Sequence, residues 1–66
     1  MCLSTLYEVI DGERKKLGEY ISNVVSRDGE YVFTDVMGEE ISLKGTIRSL
    51  DLVKNEITIE LEKQAG

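Results

Sequence analysis

Apolar and polar residues alternate along several short stretches of the chain, with the period of two that a half-buried β-strand requires. The clearest stretch is residues 56–62, in which isoleucine and leucine alternate with glutamate and threonine. Two Asp-Gly pairs, Asp11-Gly12 and Asp28-Gly29, predict tight hairpin turns between such stretches. A third turn is expected over residues 36–40. The pattern therefore predicts an all-β protein.

The spacing of these strands indicates one small antiparallel β-barrel of five to six strands, formed by residues 1–66 as a single domain. Six glycines and no proline fit strands that bend sharply, and Gly45 is the candidate for such a bend. A chain of this length buries a thin core. The residues expected to form that core are Leu3, Val9, Phe33, Ile47, Leu50, Ile57 and Ile59.

Residues 17–25 are ambiguous, because their large apolar side chains recur at the spacing of an amphipathic helix. Several residues in this stretch are glycine, asparagine or β-branched, and these are weak helix formers. The Asp28-Gly29 turn that follows also favours a strand. We predict a short helical turn over residues 17–22 followed by a strand.

Composition narrows the possible functions. Without histidine the chain cannot build a Ser-His-Asp or Cys-His catalytic pair, nor the usual mixed cysteine and histidine zinc site, so we expect a protein that is not an enzyme. The net charge of −5 repels polyanions. No apolar run approaches the roughly 20 residues of a membrane helix, and no signal peptide is evident, which predicts a cytoplasmic protein without a membrane partner.

Nucleic-acid binding has one candidate feature, the basic run Arg14-Lys15-Lys16. Aromatic side chains on a small barrel could stack on the bases of a single strand, and the candidates are Tyr20, Tyr31 and Phe33. Three basic residues after a hairpin turn more often mark a charged strand end, and a thin core needs its aromatic rings inside. The core interpretation is favoured for these rings, and RNA is a disfavoured partner.

Cys2 is the only cysteine. A lone cysteine is as often a small buried hydrophobe as a reactive or ligating group. If Met1 is removed, however, Cys2 offers an α-amine and a thiolate that form a five-membered chelate with one metal ion. Two donors are too few for a closed site. Two such termini in a symmetric dimer supply two nitrogens and two sulfurs, a set suited to a planar nickel or copper centre.

Three segments resemble the CooT family of small nickel-binding proteins, some of which are linked to maturation of carbon monoxide dehydrogenase. The segments are Met1-Cys2-Leu3, residues 34–40 (TDVMGEE), and residues 45–52 (GTIRSLDL) followed by Glu56-Ile57. The resemblance implies a homodimer in which Cys2 of each subunit binds a shared Ni²⁺ ion. It also implies storage or delivery of the metal, with a nickel enzyme as client. Only Cys2 carries over as a metal ligand.

Members of this family are also labelled predicted RNA-binding proteins, because their fold is similar to the Sm-like small β-barrel. The resemblance therefore implies an Sm/SH3-like barrel for this chain. Its alternative function is an Sm-like RNA-binding module that uses Arg14, Lys15 and Lys16. Likeness of fold alone does not carry function. The nickel-binding accessory protein is therefore the favoured prediction.

Overall fold

The computed structural model describes residues 2–63, which form six strands and no helix. In chain order the strands are β1 (Ser4–Ile10), β2 (Glu13–Arg27), β3 (Glu30–Asp35), β4 (Glu40–Leu43), β5 (Gly45–Asp51) and β6 (Glu56–Leu61). The described residues include no helix that is long and apolar enough to cross a membrane.

All six strands belong to one sheet with the order β4-β3-β2-β1-β6-β5. The sheet curls into a half-barrel, which confirms the all-β fold and is compatible with a small β-barrel. Four of the five strand pairs are antiparallel, but β1 and β6 run parallel, with Thr5 opposite Glu56. The sheet is therefore mostly antiparallel, as predicted, and the β1–β6 pair is the exception. Alternation along a strand reports which face is buried and carries no information about the direction of its partner.

Both Asp-Gly pairs form the hairpin turns that the sequence predicts. Asp11 and Gly12 have φ angles of 50° and 81°, and Asp28 and Gly29 have 51° and 81°. Positive φ at both central positions is what a two-residue type I′ turn requires, and Asp-Gly is among the pairs that adopt it most readily. These turns join β1 to β2 and β2 to β3 with residues 10 and 27 opposite residues 13 and 30.

The predicted helical turn over residues 17–22 is wrong, because β2 continues through it as one strand of 15 residues. The helix-like spacing has another origin. The register of β2 shifts against β3 between Ile21 and Asn23, and its pairing with β1 is also irregular near Gly18. A β-bulge adds a residue to one strand and reverses the alternation beyond it. Ile21 and Val24, three residues apart, therefore both pack into the core.

The core is a cluster of five buried residues on one side of the sheet, namely Leu6, Ile21, Phe33, Ile57 and Ile59, and Val32 is also buried. The prediction is confirmed for Phe33, Ile57 and Ile59. Ile47 is half-buried and packs against the cluster.

Three residues that were predicted to lie in the core are not buried. Leu3 precedes β1, and Val9 lies on the other face of β1 from Leu6, so both are only half-buried. Leu50 is 56% exposed although it pairs with buried Ile57, because β5 is an edge strand with no strand beyond it to cover the side chain.

Gly45 begins β5 at a corner where only Lys44 separates it from β4. A Cβ atom at this position would overlap the carbonyl oxygen of Glu60 and lie 2.9 Å from the Cα of Leu61. Both atoms belong to the backbone of β6, which cannot move without breaking the pairing of β5 with β6. Only glycine lets the two strands approach this closely.

Gly45→Ala is expected to lower the free energy of unfolding by about 1 to 3 kcal/mol, because the added methyl group overpacks against backbone. Gly18→Ala is the matched control, since its Cβ would meet the flexible end of the Ile41 side chain at 3.1 Å. Urea unfolding of the two variants gives the comparison. Equal losses in both would show that the close approach at Gly45 does not constrain the fold.

Candidate metal centre

Cys2 lies two residues before β1 and its thiol is exposed. It stands at a groove of about 400 Å³ on the concave side of the sheet. The wall on one side comes from the bulged middle of β2, and the wall on the other side comes from β5, β6 and the turn between them. The lining residues are Cys2, Ser4, Ile21, Ser22, Asn23, Val24, Ile47, Leu50, Asp51, Leu52, Glu56 and Ile57.

The groove exists because the sheet curls without closing. Its two walls, β2 and β5, are separated in the sheet by β1 and β6, so curvature brings them to face each other across a gap. On the β5 side the gap is lined by apolar side chains, of which Leu50 and Leu52 remain 56% and 81% exposed. The Cys2 thiol therefore lies beside an uncovered apolar surface.

The β5–β6 turn that forms this wall is built around Asp51. Its Oδ1 accepts hydrogen bonds from the backbone N–H groups of Lys54 at 2.9 Å and Val53 at 3.0 Å. These bonds favour the ionised carboxylate and lower the pKa of Asp51. Their contribution to folding stability is therefore present above the ordinary aspartate pKa and is lost as the pH falls through the lowered value. A further hydrogen bond joins this turn to the start of β1, close to Cys2: the Thr5 N–H donates to the Asn55 carbonyl at 2.9 Å.

The segment 34–40 also contains a turn that is stabilised by an aspartate side chain, but this turn lies away from Cys2. Asp35 Oδ1 accepts hydrogen bonds from the N–H groups of Met37 at 2.8 Å and Glu39 at 3.0 Å, and this turn joins β3 to β4. None of its residues lines the groove at Cys2. Of the segments that carry the family resemblance, the structure therefore brings residues 45–52 and 56–57 to Cys2 and leaves residues 34–40 apart.

The described residues of one chain do not bring together enough ligands for a closed metal site. Within residues 2–63, no three side chains from cysteine, histidine, aspartate and glutamate come together in a group that could hold a metal ion. Glu56 lines the same groove as Cys2, but its Oε1 accepts a hydrogen bond from Arg14 at 3.0 Å. Asp51 is engaged by its own turn. Cys2 is therefore the one soft donor at this groove that no hydrogen bond or ion pair within residues 2–63 engages.

The basic run on β2 is largely neutralised by neighbouring acids. Arg14 forms its ion pair with Glu56 and lies 4.2 Å above the centre of the Tyr7 ring. Lys16 pairs with Glu19, which raises the pKa of Lys16. Of the three basic residues in this run, only Lys15 forms no ion pair within residues 2–63.

The three candidate stacking rings do not form a common surface. Phe33 is fully buried, and Tyr31 packs against the core with its ring 6.4 Å from that of Phe33. Tyr20 is 58% exposed. The core interpretation is thus correct for Phe33 and Tyr31, and no observation favours the RNA-binding alternative, which stays a prediction.

Cys2 was predicted from the sequence as the candidate ligand, but the groove beside it was not predicted. Leu52 was given no role, and Leu50 was assigned to the interior. One signal was available, because an aspartate such as Asp51 that is followed within four residues by Asn55, between two strand patterns, is typical of an Asx turn. That turn places Leu52 at the tip of a hairpin, where it is exposed.

The structure is that of a small all-β protein whose curled sheet carries one exposed thiol beside an apolar groove. Comparison with known proteins is more specific. The family model described as "CO dehydrogenase accessory protein CooT" matches residues 1–60. The chain belongs to the CooT family, whose description is that of an accessory protein to an enzyme.

A solved structure agrees with the fold. The crystal structure of a protein described as a candidate CooT from Carboxydothermus hydrogenoformans superimposes with a TM-score of 0.87. The match has 19% sequence identity and covers 94% of this chain and 100% of the other. At that identity it supports the architecture alone. No curated protein matches the chain.

Proposed function

We propose that this protein is a nickel-binding accessory protein that stores or delivers Ni²⁺ for carbon monoxide dehydrogenase maturation. The observation that carries the proposal is the exposed Cys2 thiol at the groove, in a chain that has no other cysteine and no histidine. The family description supplies the client enzyme. Nickel is cargo in this proposal, and the protein is not itself an enzyme.

The ligands proposed are the thiolate of Cys2 and, once Met1 is removed, its α-amine. Because one chain offers only these two donors, a second chain contributes the same pair and the four donors surround one ion. Nitrogen and sulfur donors in a plane suit Ni²⁺. An exposed thiolate also suits delivery, since an incoming ligand from a client can reach the metal without unfolding of the carrier.

The shared ion fixes where the two chains meet. Two sulfurs bound to one metal lie within about 5 Å of each other, twice a metal–sulfur bond of about 2.3 Å. The twofold axis of the dimer must therefore pass close to Cys2. The exposed apolar residues nearest to it, Leu50 and Leu52, then become buried between the subunits. Their burial supplies stabilisation that the thin core of one chain lacks.

A nickel titration is expected to saturate at one ion per two chains, with the protein sedimenting as a dimer when the metal is bound. Leu52→Asp should weaken both the dimer and nickel binding, because it places a charge at the proposed interface. Met37→Asp is the matched control, since Leu52 is 81% and Met37 82% exposed, and Met37 does not line the groove.

Two results would contradict this mechanism. One is saturation at one ion per chain. The other is a monomeric mass both with and without nickel. If Met37→Asp disrupted the dimer and Leu52→Asp did not, the shared site would lie elsewhere on the molecule.

A further inference from the structure

A second apolar surface lies away from the groove, where the β3–β4 turn meets the bulge in β2. We call it the apolar tip and define it as Tyr20, Val36 and Met37. These side chains are 58%, 55% and 82% exposed. They are neighbours, because the Val36 N–H donates to the Tyr20 carbonyl at 3.0 Å. Adjacent large apolar side chains in water mark interaction surfaces more often than isolated ones do.

The turn that carries Val36 and Met37 is closed by hydrogen bonds of its own. The Asp35 side chain accepts hydrogen bonds from Met37 and Glu39, and the Gly38 N–H donates to the Asp35 carbonyl at 3.0 Å. Gly38 has a φ of 87°, which closes the turn. A surface that is already ordered loses little conformational entropy when a partner binds. The turn that carries Val36 and Met37 is thus ordered before a partner binds.

The backbone conformation of Tyr20 is energetically unfavourable for a residue with a large side chain. Its φ of 57° lies in the left-handed region, which glycine occupies without penalty and a bulky residue does not. The side chain gains little from packing within the chain, because more than half of it is exposed. Such strain commonly accompanies function. A contact made by the tyrosine ring outside this chain would account for its presence.

The charge around the tip indicates the chemistry of the partner. Asp35, Glu39 and Glu40 lie in the turn, and no lysine or arginine occurs between Asp28 and Lys44. Glu39 and Glu40 form no ion pair within residues 2–63. A second copy of the chain would bring the same acidic residues face to face, which is unfavourable. A different protein, with an apolar pocket edged by lysine or arginine, is complementary.

We propose that the apolar tip docks the protein on the client enzyme, at a site where an apolar pocket is bordered by basic residues. The identity of that client as carbon monoxide dehydrogenase rests on the proposed function. Because the tip and the groove have no lining residue in common, a dimer joined at Cys2 presents one free tip on each subunit. Docking and metal holding are then separate tasks on separate surfaces.

The test measures binding of the nickel-loaded protein to purified, nickel-free carbon monoxide dehydrogenase. Met37→Ser should weaken binding by about tenfold or more, as expected for a central apolar contact. Tyr20→Gly should also weaken binding while its thermal stability is equal to or higher than that of wild type, since glycine relieves the strained φ. Ile10→Ser is the matched control, because Ile10 is 47% exposed and lies outside both surfaces, and it should bind as wild type does.

The charges are tested with the double variant Glu39→Gln, Glu40→Gln, whose affinity for the enzyme should depend less on salt than that of wild type. Wild-type affinity in Met37→Ser and Tyr20→Gly overturns the proposal, as does failure of the wild type to bind the enzyme. Loss of the dimer in Met37→Ser also overturns it, because the tip would then be the subunit interface. Nickel stoichiometry is measured on the same samples, so a wild type that binds nickel without docking refutes the tip alone.

Discussion

Replacing Cys2 with serine is expected to abolish nickel binding and leave the fold unchanged. Serine is nearly isosteric with cysteine, and position 2 is exposed, so the substitution removes no core contact. Its hydroxyl group is a poor ligand for a borderline-soft cation, and the chain has no second cysteine or histidine to replace the thiolate. The sulfur-to-nickel charge-transfer absorption should be absent from the variant at every metal concentration.

Far-ultraviolet circular dichroism and the urea midpoint serve as controls and should match those of wild type. In wild type the affinity should fall as the solution is acidified, because protons compete with the metal for both donors of Cys2. A serine variant that binds nickel as tightly as wild type would refute the proposed site, whatever its oligomeric state.

Leu6→Ala is expected to cost about 2 to 5 kcal/mol of unfolding free energy, the range found when a buried leucine is truncated. Leu6 is fully buried on β1, an inner strand of the sheet, with Ile57 of β6 opposite. A small domain has a total stability of about 5 to 15 kcal/mol, so this loss is a large share of it. Urea unfolding of the variant measures the change.

Leu50→Ala is the matched control and should change the stability by about 0.5 kcal/mol or less, because the side chain is mostly exposed in the single chain. The comparison is made on monomeric protein without nickel. A larger loss at Leu50 than at Leu6 would favour the core predicted from alternation over the core in the structure.

Local features of this fold could be predicted from the sequence because they depend on a few adjacent residues. Each Asp-Gly pair determines its own turn, and the alternation over residues 56–62 correctly assigns Ile57 and Ile59 to the interior. Leu6 was missed because residues 2–10 carry apolar side chains on both faces, so alternation does not identify the buried one. Which face of β1 is buried depends on its pairing with β6, a strand from a distant part of the chain.

The bulges in β2 set a similar limit. They reverse the alternation between Ile21 and Val24, and in the sequence alone that reversal has the period of a helix. For the candidate site, the sequence predicted the ligand chemistry but not the surroundings of the ligand. Cys2 follows from its donor atoms, whereas the groove depends on the curl of the sheet and on an edge strand that leaves Leu50 uncovered.

The parallel pairing of β1 with β6 has a consequence for the order in which the molecule matures. During synthesis β1 to β4 can pair through their hairpins as they emerge, but the second edge of β1 pairs with β6, which is made after the other five strands. Contacts between such distant segments form slowly. One wall of the groove beside Cys2 is formed by β6 together with β5 and the turn between them. A nascent chain therefore carries its thiol before it has the surface that the proposed dimer would use, and we expect metal loading to follow the synthesis and pairing of β6.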